Sequence, residues 1–244
     1  MPKLLVIIPA YNEEAAIRDT LESLATHCPQ ADYVVINDCS RDHTRQVLED
    51  GGFRHIDLPL NLGIGGGVQT GYKYAVEHGY DVTVQFDGDG QHRPEYIPDL
   101  IRPILEGKAD MVVGSRFLPT AGEKHGFQSS ALRRTGIRFL SGLIRLCTGK
   151  TVHDTTSGFR ACGPELTRLF ADTYAQDYPE PEAIVTALVM GYRVAEVPVQ
   201  MSERQGGVSS INAFKSIYYM VKVSLAVLLT GIRMSGRKGA AHHV

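Results

Sequence analysis

The sequence predicts an α/β fold with a mainly parallel central sheet, helices on both faces and amphipathic helices toward the C-terminus. Short continuous apolar runs, at residues 3–8 and 111–114, have the pattern of strands buried on both faces. Between such runs lie segments with apolar residues at helical spacing, such as Ile17, Leu21 and Leu24. The chain has 244 residues, 43% of them hydrophobic and 21% charged, enough for one large α/β core or two small domains.

Pro9 ends the first strand, and Asn12 is placed to cap a helix whose first turn holds Glu13 and Glu14, where carboxylates suit the helix dipole. A second strand over residues 33–37 stops at Asp38, and Ser40 can cap the helix that runs to about Glu49. A β-like segment at 53–58 precedes a glycine-rich stretch, 61–67, and a helix over about 68–78. Three β-α units thus lead to the strand that ends in Phe86-Asp87-Gly88-Asp89. Pro94 suits the first turn of the next helix, and the strand at 111–114 delivers Ser115-Arg116. In such alternating chains the crossovers are right-handed, and ligands sit at the carboxyl ends of the strands, near a switch point. Asp38, Asp87, Asp89 and Arg116 all fall at such ends.

Two carboxylates separated by one glycine suit Mg²⁺ or Mn²⁺, which take oxygen ligands and keep positions open for substrate phosphates. The same run is also a good turn sequence. It is not an EF-hand loop, because His92 and Pro98 stand where glycine and glutamate belong. The glycines at 63–67 lack the dinucleotide-binding spacing, and Ile144 replaces the first glycine of a phosphate loop ending Gly149-Lys150-Thr151. A net charge of -2 argues against a general nucleic-acid binder. Cys28, Cys39, Cys147 and Cys162 show no metal or disulfide spacing, and the start of the chain has no signal-peptide pattern, so the cytosol is the expected compartment.

The motifs Ile8-Pro9-Ala10-Tyr11-Asn12-Glu13, Asn37-Asp38-Cys39-Ser40, Asp87-Gly88-Asp89-Gly90-Gln91-His92, Ser115-Arg116-Phe117, Asp154-Thr155-Thr156-Ser157-Gly158-Phe159-Arg160, Pro181-Glu182 and Glu196-Val197-Pro198 occur in this order. Together they resemble the family 2 glycosyltransferases of GT-A fold, and within them the dolichol-phosphate mannosyltransferase-like group that glycosylates polyprenyl phosphates. The resemblance implies that Pro9, Tyr11 and Glu13 surround the nucleotide and that Asp38 accepts from the base. It also implies that Asp87 lies near ribose and phosphate, that Asp89, with Asp87, holds Mg²⁺ or Mn²⁺, and that Gln91 neighbours the diphosphate. Arg116, Arg160 and Arg204 become candidates for the acceptor phosphate, and Glu182 for a base or a positioning group. His92 is read as structural. Asn37 stands where the family often has a first aspartate.

The implied partners are a nucleotide-diphospho-sugar donor and a polyprenyl phosphate acceptor, with inversion at the anomeric carbon. A phosphate monoester, its second pKa near ~6, is already mostly ionised at neutral pH and needs little help from a base. A sugar hydroxyl on a glycan is the alternative acceptor and would need a true base. A non-catalytic nucleotide-sugar-binding subunit is the reading of another class.

From Arg116 through Lys150 there are seven lysines and arginines against one acidic residue, Glu123. Residues 129–148 read as a basic amphipathic helix, with Leu132, Ile137, Leu140 and Ile144 interleaved with Arg133, Arg134, Arg138 and Arg145. A second, more apolar one spans 211–234, its uncharged runs shorter than the roughly 20 residues a bilayer span needs. Two ordinary helices covering the sheet are the plain reading. The sharper one is a peripheral enzyme on the inner membrane face. The expected organisation is a catalytic domain, 1–210, with a nucleotide half to about 115 and an acceptor half beyond it. A membrane-associating helix, 211–234, and a disordered tail, 235–244, would complete the chain.

Overall fold

A computed structural model of the chain describes residues 2–119, 131–202 and 221–233. In order these residues form β1 (Leu4–Ala10), α1 (Ile17–His27), β2 (Asp32–Asn37), α2 (Thr44–Asp50), β3 (His55–Asp57), α3 (Gly63–Glu77) and β4 (Val82–Gln85). A 3₁₀ turn (Pro94–Tyr96), α4 (Ile97–Leu105), β5 (Met111–Ser115), α5 (Ala131–Thr148), β6 (Arg160–Cys162), α6 (Pro164–Thr173), α7 (Pro179–Met190) and β7 (Val194–Pro198) follow. A last helix, α8, covers residues 221–233.

The seven strands lie in the order β3-β2-β1-β4-β6-β5-β7. All neighbours are parallel except β6, which runs antiparallel to β4 and β5. Every residue of β1 is buried, as its unbroken apolar run requires. Leu5 and Ile7 face a core shared with α3, α6 and α7, while Leu4, Val6 and Ile8 face a second core with α1 and α4. Alternation along the strand thus serves two helical layers at once. Each fully buried Leu, Ile or Val side chain contributes about 1.5–3 kcal/mol.

The glycine-rich stretch opens α3 rather than preceding it. A Cβ on Gly65 would lie 2.2 Å from the Ala175 carbonyl oxygen, and one on Gly71 2.1 Å from Ile7 Cγ2. These glycines let α3 press against the α6–α7 connection and against β1, and that packing sets the helix start five residues earlier than the apolar spacing suggests. Two expected caps are also differently employed. Asn12 and Ser40 cross-link the loops after β1 and β2: Asn12 Oδ1 accepts the Arg41 N–H (2.8 Å), and Ser40 Oγ accepts the Asn12 N–H (3.0 Å). α1 starts only at Ile17, and Asp42 Oδ1 accepts the first-turn amide of α2 at Thr44 (3.0 Å).

α8 packs through Val223 and Val227, both fully buried in the α3–α7 core, and its Gly231 approaches Cys147 of α5 and Val185 of α7. Arg204, Glu123, residues 211–220 of the second amphipathic segment and the tail at 235–244 lie outside the described residues.

Candidate active site

β1 is the switch point of the sheet: the chain builds outward from it through β2 and β3 on one side and through β4 on the other. A crevice at the carboxyl ends of β1 and β4 is where an α/β sheet of this kind takes its ligand. The end of β1 carries Pro9, and the loops there carry Tyr11, Glu13, Asp38, Asp87, Asp89 and Gln91. Pro9 pairs with Ile36 and Ala10 with Asn37, so the ends of β1 and β2 are level. Asp38 N–H donates to the Ala10 carbonyl (2.9 Å).

Asp38 is buried, and its Oδ1 accepts the Leu62 N–H (2.7 Å) while its carbonyl accepts from Asn61 Nδ2 (3.1 Å). Asn37 Nδ2 donates to Asp57 Oδ1 (2.6 Å), which accounts for an amide at that position: it ties β2 to the edge strand β3. Glu13 N–H donates to Thr44 Oγ1 (2.8 Å), and Tyr11 is exposed at the mouth.

The Asp87–His92 loop is held from below. Asp87 N–H donates to His92 Nδ1 (2.9 Å). Since an amide can only donate, Nδ1 is the acceptor and Nε2 carries the proton. The imidazole is buried, stacks on Phe159 (centroids 4.8 Å apart) and meets Phe86 edge-on; burial lowers its pKa, against the nearby Asp87 and Asp89 charges. Asp89 Oδ1 accepts the Gln91 N–H (3.1 Å), and the Gln91 carbonyl accepts from Ser202 N–H (2.9 Å). Gly158 stands directly over Asp87: a Cβ there would be 2.9 Å from Asp87 Oδ2.

Two carboxylates on one loop fit Mg²⁺ or Mn²⁺ completed by substrate phosphates; His92 Nε2 lies 3.6 Å from Asp87 Oδ2, but no cluster of three His, Cys, Asp or Glu ligands forms there among the described residues. Three such side chains do meet elsewhere, at Glu49, His55 and Asp57. There Arg45 Nε already supplies the positive charge, 2.7 Å from Glu49 Oε1 and 3.2 Å from Asp57 Oδ2.

On the other flank, Arg116 at the end of β5 is buried in a fork with Asp154: Nε to Oδ2 and Nη2 to Oδ1 are both 2.7 Å, and Nη2 also reaches Thr156 Oγ1 (2.9 Å). Asp154 is itself placed by Glu196 of β7, whose Oε1 accepts the Asp154 N–H (2.8 Å). Glu196 Oε2 accepts from the His153 amide and lies 2.8 Å from its Nδ1.

Arg160 is not open to solvent. It is fully buried, with Nη1 donating to the Glu180 carbonyl (3.1 Å) and Nη2 to the Ser157 carbonyl. Its place follows from register: β6 sets Arg160 opposite Gln85, on one face of the sheet. Gln85 Oε1 accepts from the Tyr174 hydroxyl (3.4 Å), whose proton is held more tightly because burial raises its pKa. Arg160 Nε and the hydroxyls of Ser115, Thr155 and Ser157 are buried without a hydrogen-bond partner among the described residues. Such groups are costly unless water or a ligand meets them.

The structure does not bring Glu182 to these groups. Its Oε2 accepts from Thr230 Oγ1 of α8 (2.7 Å), and the charges acting on it are Asp177 and Arg233. Two residues earlier, the Glu180 carbonyl accepts from Arg160 Nη1 (3.1 Å), which sets the start of α7 against Arg160; burial raises the pKa of the Glu180 side chain, and the Arg160 charge opposes this. Sequence reasoning passed over Glu180, although two glutamates two residues apart at a helix start are on opposite faces.

The family model described as "Glycosyl transferase family 2" matches residues 5–185. The undecaprenyl-phosphate mannosyltransferase of Micrococcus luteus is 30% identical, over 95% of this chain and 98% of its own. The polyprenol monophosphomannose synthase of Mycolicibacterium smegmatis is 28% identical over 91% of this chain and 86% of its own. The UDP-N-acetylglucosamine–dolichyl-phosphate N-acetylglucosaminyltransferase of Methanococcus voltae is also 28% identical, over 93% and 98%. Among solved structures, glucosyl-3-phosphoglycerate synthase from Mycobacterium tuberculosis, in complex with Mn²⁺, UDP and phosphoglyceric acid, superposes with a TM-score of 0.72 at 20% identity, over 94% of this chain and 78% of that one. The GT-A architecture expected from the sequence is the fold observed.

Proposed function

Since the chain belongs to glycosyl transferase family 2, we propose that it transfers a sugar, with inversion, from a nucleotide-diphospho-sugar to a polyprenyl phosphate at the cytosolic face of a membrane. The observation that carries the acceptor is an apolar strip along α8 and α5. α8 turns Val221, Leu225, Leu228, Leu229 and Ile232 outward, and α5 adds Phe139 and Leu146, the last 80% exposed. Arg134, Arg138, Arg145 and Arg233 are exposed along the same two helices. A charged rim around an apolar strip suits a helix lying in a lipid interface. No helix among the described residues is long and apolar enough to cross a membrane.

On this reading Pro9, Tyr11, Glu13 and Asp38 receive the nucleoside, and Asp87 and Asp89 hold a divalent cation with Gln91 beside the diphosphate. The bound cation would neutralise charge collecting on the leaving diphosphate. Arg116, fixed in orientation by Asp154, offers a pre-aligned positive charge on the acceptor side. Arg160 acts from below, bracing the Ser157 and Glu180 backbones on either side, and Arg204 is assigned to the acceptor phosphate on the family pattern. A hydroxyl acceptor would have needed Glu182 as base, and its bond to Thr230 speaks against that role.

The test is a thermal-shift screen of UDP-, GDP- and dTDP-sugars with Mn²⁺, followed by radiolabel transfer from the stabilising donor into butanol-extractable lipid. Label that remains water-soluble with an active donor would sink the lipid acceptor.

A further inference from the structure

We propose that the donor is a nucleotide whose base is a pyrimidine with a ring N–H, uracil or thymine, and that Asp38 disfavours guanine because only one of its carboxylate oxygens is left for a base. This rests on the donor-site reading above and names the nucleotide class that reading leaves open.

Asp38 is held from three directions. At the carboxyl end of β2 its N–H donates to the Ala10 carbonyl (2.9 Å), which fixes it beside the switch strand. Its own carbonyl accepts from Asn61 Nδ2 (3.1 Å), and its Oδ1 accepts the Leu62 N–H (2.7 Å). The turn that presents Leu62 is braced in its own right. Asn61 Oδ1 accepts the Gly63 N–H (3.2 Å), and Gly63 takes a φ of +73°, a left-handed conformation that glycine adopts without strain. With the residue buried and Oδ1 engaged, Oδ2 is the oxygen left for a ligand; among the described residues it makes no hydrogen bond or ion pair.

The neighbouring amide cannot make up the difference. Asn37 is committed at both ends, Nδ2 donating to Asp57 Oδ1 (2.6 Å) and Oδ1 accepting the Ser40 N–H (3.3 Å). Its carbonyl accepts the Leu58 and Cys39 N–H groups, both at 2.9 Å. The end of β2 thus offers a base one carboxylate oxygen.

The bases differ in what they present to such a group. Uracil and thymine carry one ring N–H between two carbonyls, a single donor for a single oxygen. Guanine carries a ring N–H and an exocyclic amine side by side, a pair that calls for both oxygens of a carboxylate. Its amine would converge with the Leu62 N–H on Oδ1. Cytosine and adenine present a bare ring nitrogen, an acceptor facing an acceptor. A buried polar group left unpaired by the wrong ligand discriminates more strongly than pocket shape does.

The experiment is calorimetric titration of the full-length chain and of Asp38→Asn with UDP, dTDP, CDP and GDP in Mn²⁺. The wild type is expected to bind the better of UDP and dTDP at least about tenfold more tightly than GDP or CDP, the scale of one hydrogen bond to a charged group. Comparing UDP with dTDP then identifies the base as uracil or thymine. In Asp38→Asn the Leu62 N–H keeps the side-chain oxygen in the Oδ1 place and leaves the amide nitrogen toward the base, a donor where an acceptor stood. The affinity for CDP relative to UDP should therefore rise at least about tenfold. GDP bound as tightly as the better pyrimidine nucleotide, or an Asp38→Asn protein with the wild-type order of affinities, would overturn the inference and leave the donor site standing. Should the variant not fold, the wild-type comparison decides alone. A wild type that binds none of the four refutes the donor site itself, and this inference with it.

Discussion

Arg116 and Asp154 face each other as two parallel hydrogen bonds of 2.7 Å, inside the protein and 38 residues apart in sequence. The pair joins the end of β5 to the loop before β6, and Glu196 of β7 secures that loop from the third side. Removing one partner strands a buried charge. Asp154→Ala is expected to destabilise the protein by about 3–5 kcal/mol, whereas Asp154→Asn should fold better and still lose at least about tenfold in turnover because the fork is broken. Urea unfolding beside a transfer assay separates the two effects, and an Asp154→Asn enzyme with full turnover would refute the alignment of Arg116.

Gly158 leaves no room above Asp87. Its replacement by alanine would place Cβ 2.9 Å from Asp87 Oδ2 and 3.0 Å from Gln85 Nε2. Those are side-chain ends that can move, so folding should survive at a cost of about 1–3 kcal/mol. Moving Asp87 is the damaging part. Mn²⁺-dependent donor affinity, read by titration, is expected to fall about tenfold or more, and an unaltered value would show that the Asp87 position is not critical.

Stability should depend on acid through Asp110 and Arg193, which join the starts of β5 and β7. Arg193 Nη2 donates to Asp110 Oδ1 (2.7 Å), and its Nε and amide donate to Oδ2. These bonds from Arg193 hold the Asp110 pKa below its ordinary value. A depressed carboxyl pKa stabilises the fold above the unfolded-state pKa of about 3.9, and the benefit disappears as pH falls through the folded value. The gap in melting temperature between wild type and Asp110→Asn should be constant from about pH 7 to 5 and close below about pH 4. Because the pair is partly exposed, the gap should be small and shrink in high salt.

Lipid attachment should be separable from folding by altering only outward residues of α8. Leu225, Leu229 and Ile232 are exposed, and their joint replacement by serine should leave the melting temperature nearly unchanged. Co-sedimentation with phosphatidylglycerol vesicles is expected to weaken at least about tenfold, given about 1.5–3 kcal/mol for each buried side chain. Equal sedimentation of the two proteins would remove the case for an interfacial α8.

Much of this architecture is legible in the chain, for identifiable reasons. β2 and β5 fall within one residue of the apolar runs that mark them, because a strand buried on both faces must be apolar throughout, while β1 runs two residues past its run, through Pro9, which pairs with Ile36 instead of ending the strand. The site loops are legible as loops because carboxylates interrupt those runs. β6 is only three residues long and gives no periodic signal, yet its reversed direction puts Arg160 opposite Gln85 and hence inside the protein. No reading of Phe159-Arg160 alone could distinguish a solvent-facing phosphate clamp from a buried brace. Glu180 and Glu182 present the same difficulty in another form. Their helix is identifiable, but that Glu182 is turned to α8 depends on Thr230, 48 residues later.

Val223 and Val227 give the last helix a second obligation. They are sealed into the same core as Ile7 and Tyr72, while their helix turns leucines outward at Leu225 and Leu229. A chain cut before residue 221 would thus be left with an open greasy wall along α5 and α7, and would be expected to clump rather than to behave as a neatly trimmed soluble enzyme. Any mutant series meant to detach the protein from lipid must spare the inward valines, since shortening the chain would confound release from the bilayer with collapse of the fold.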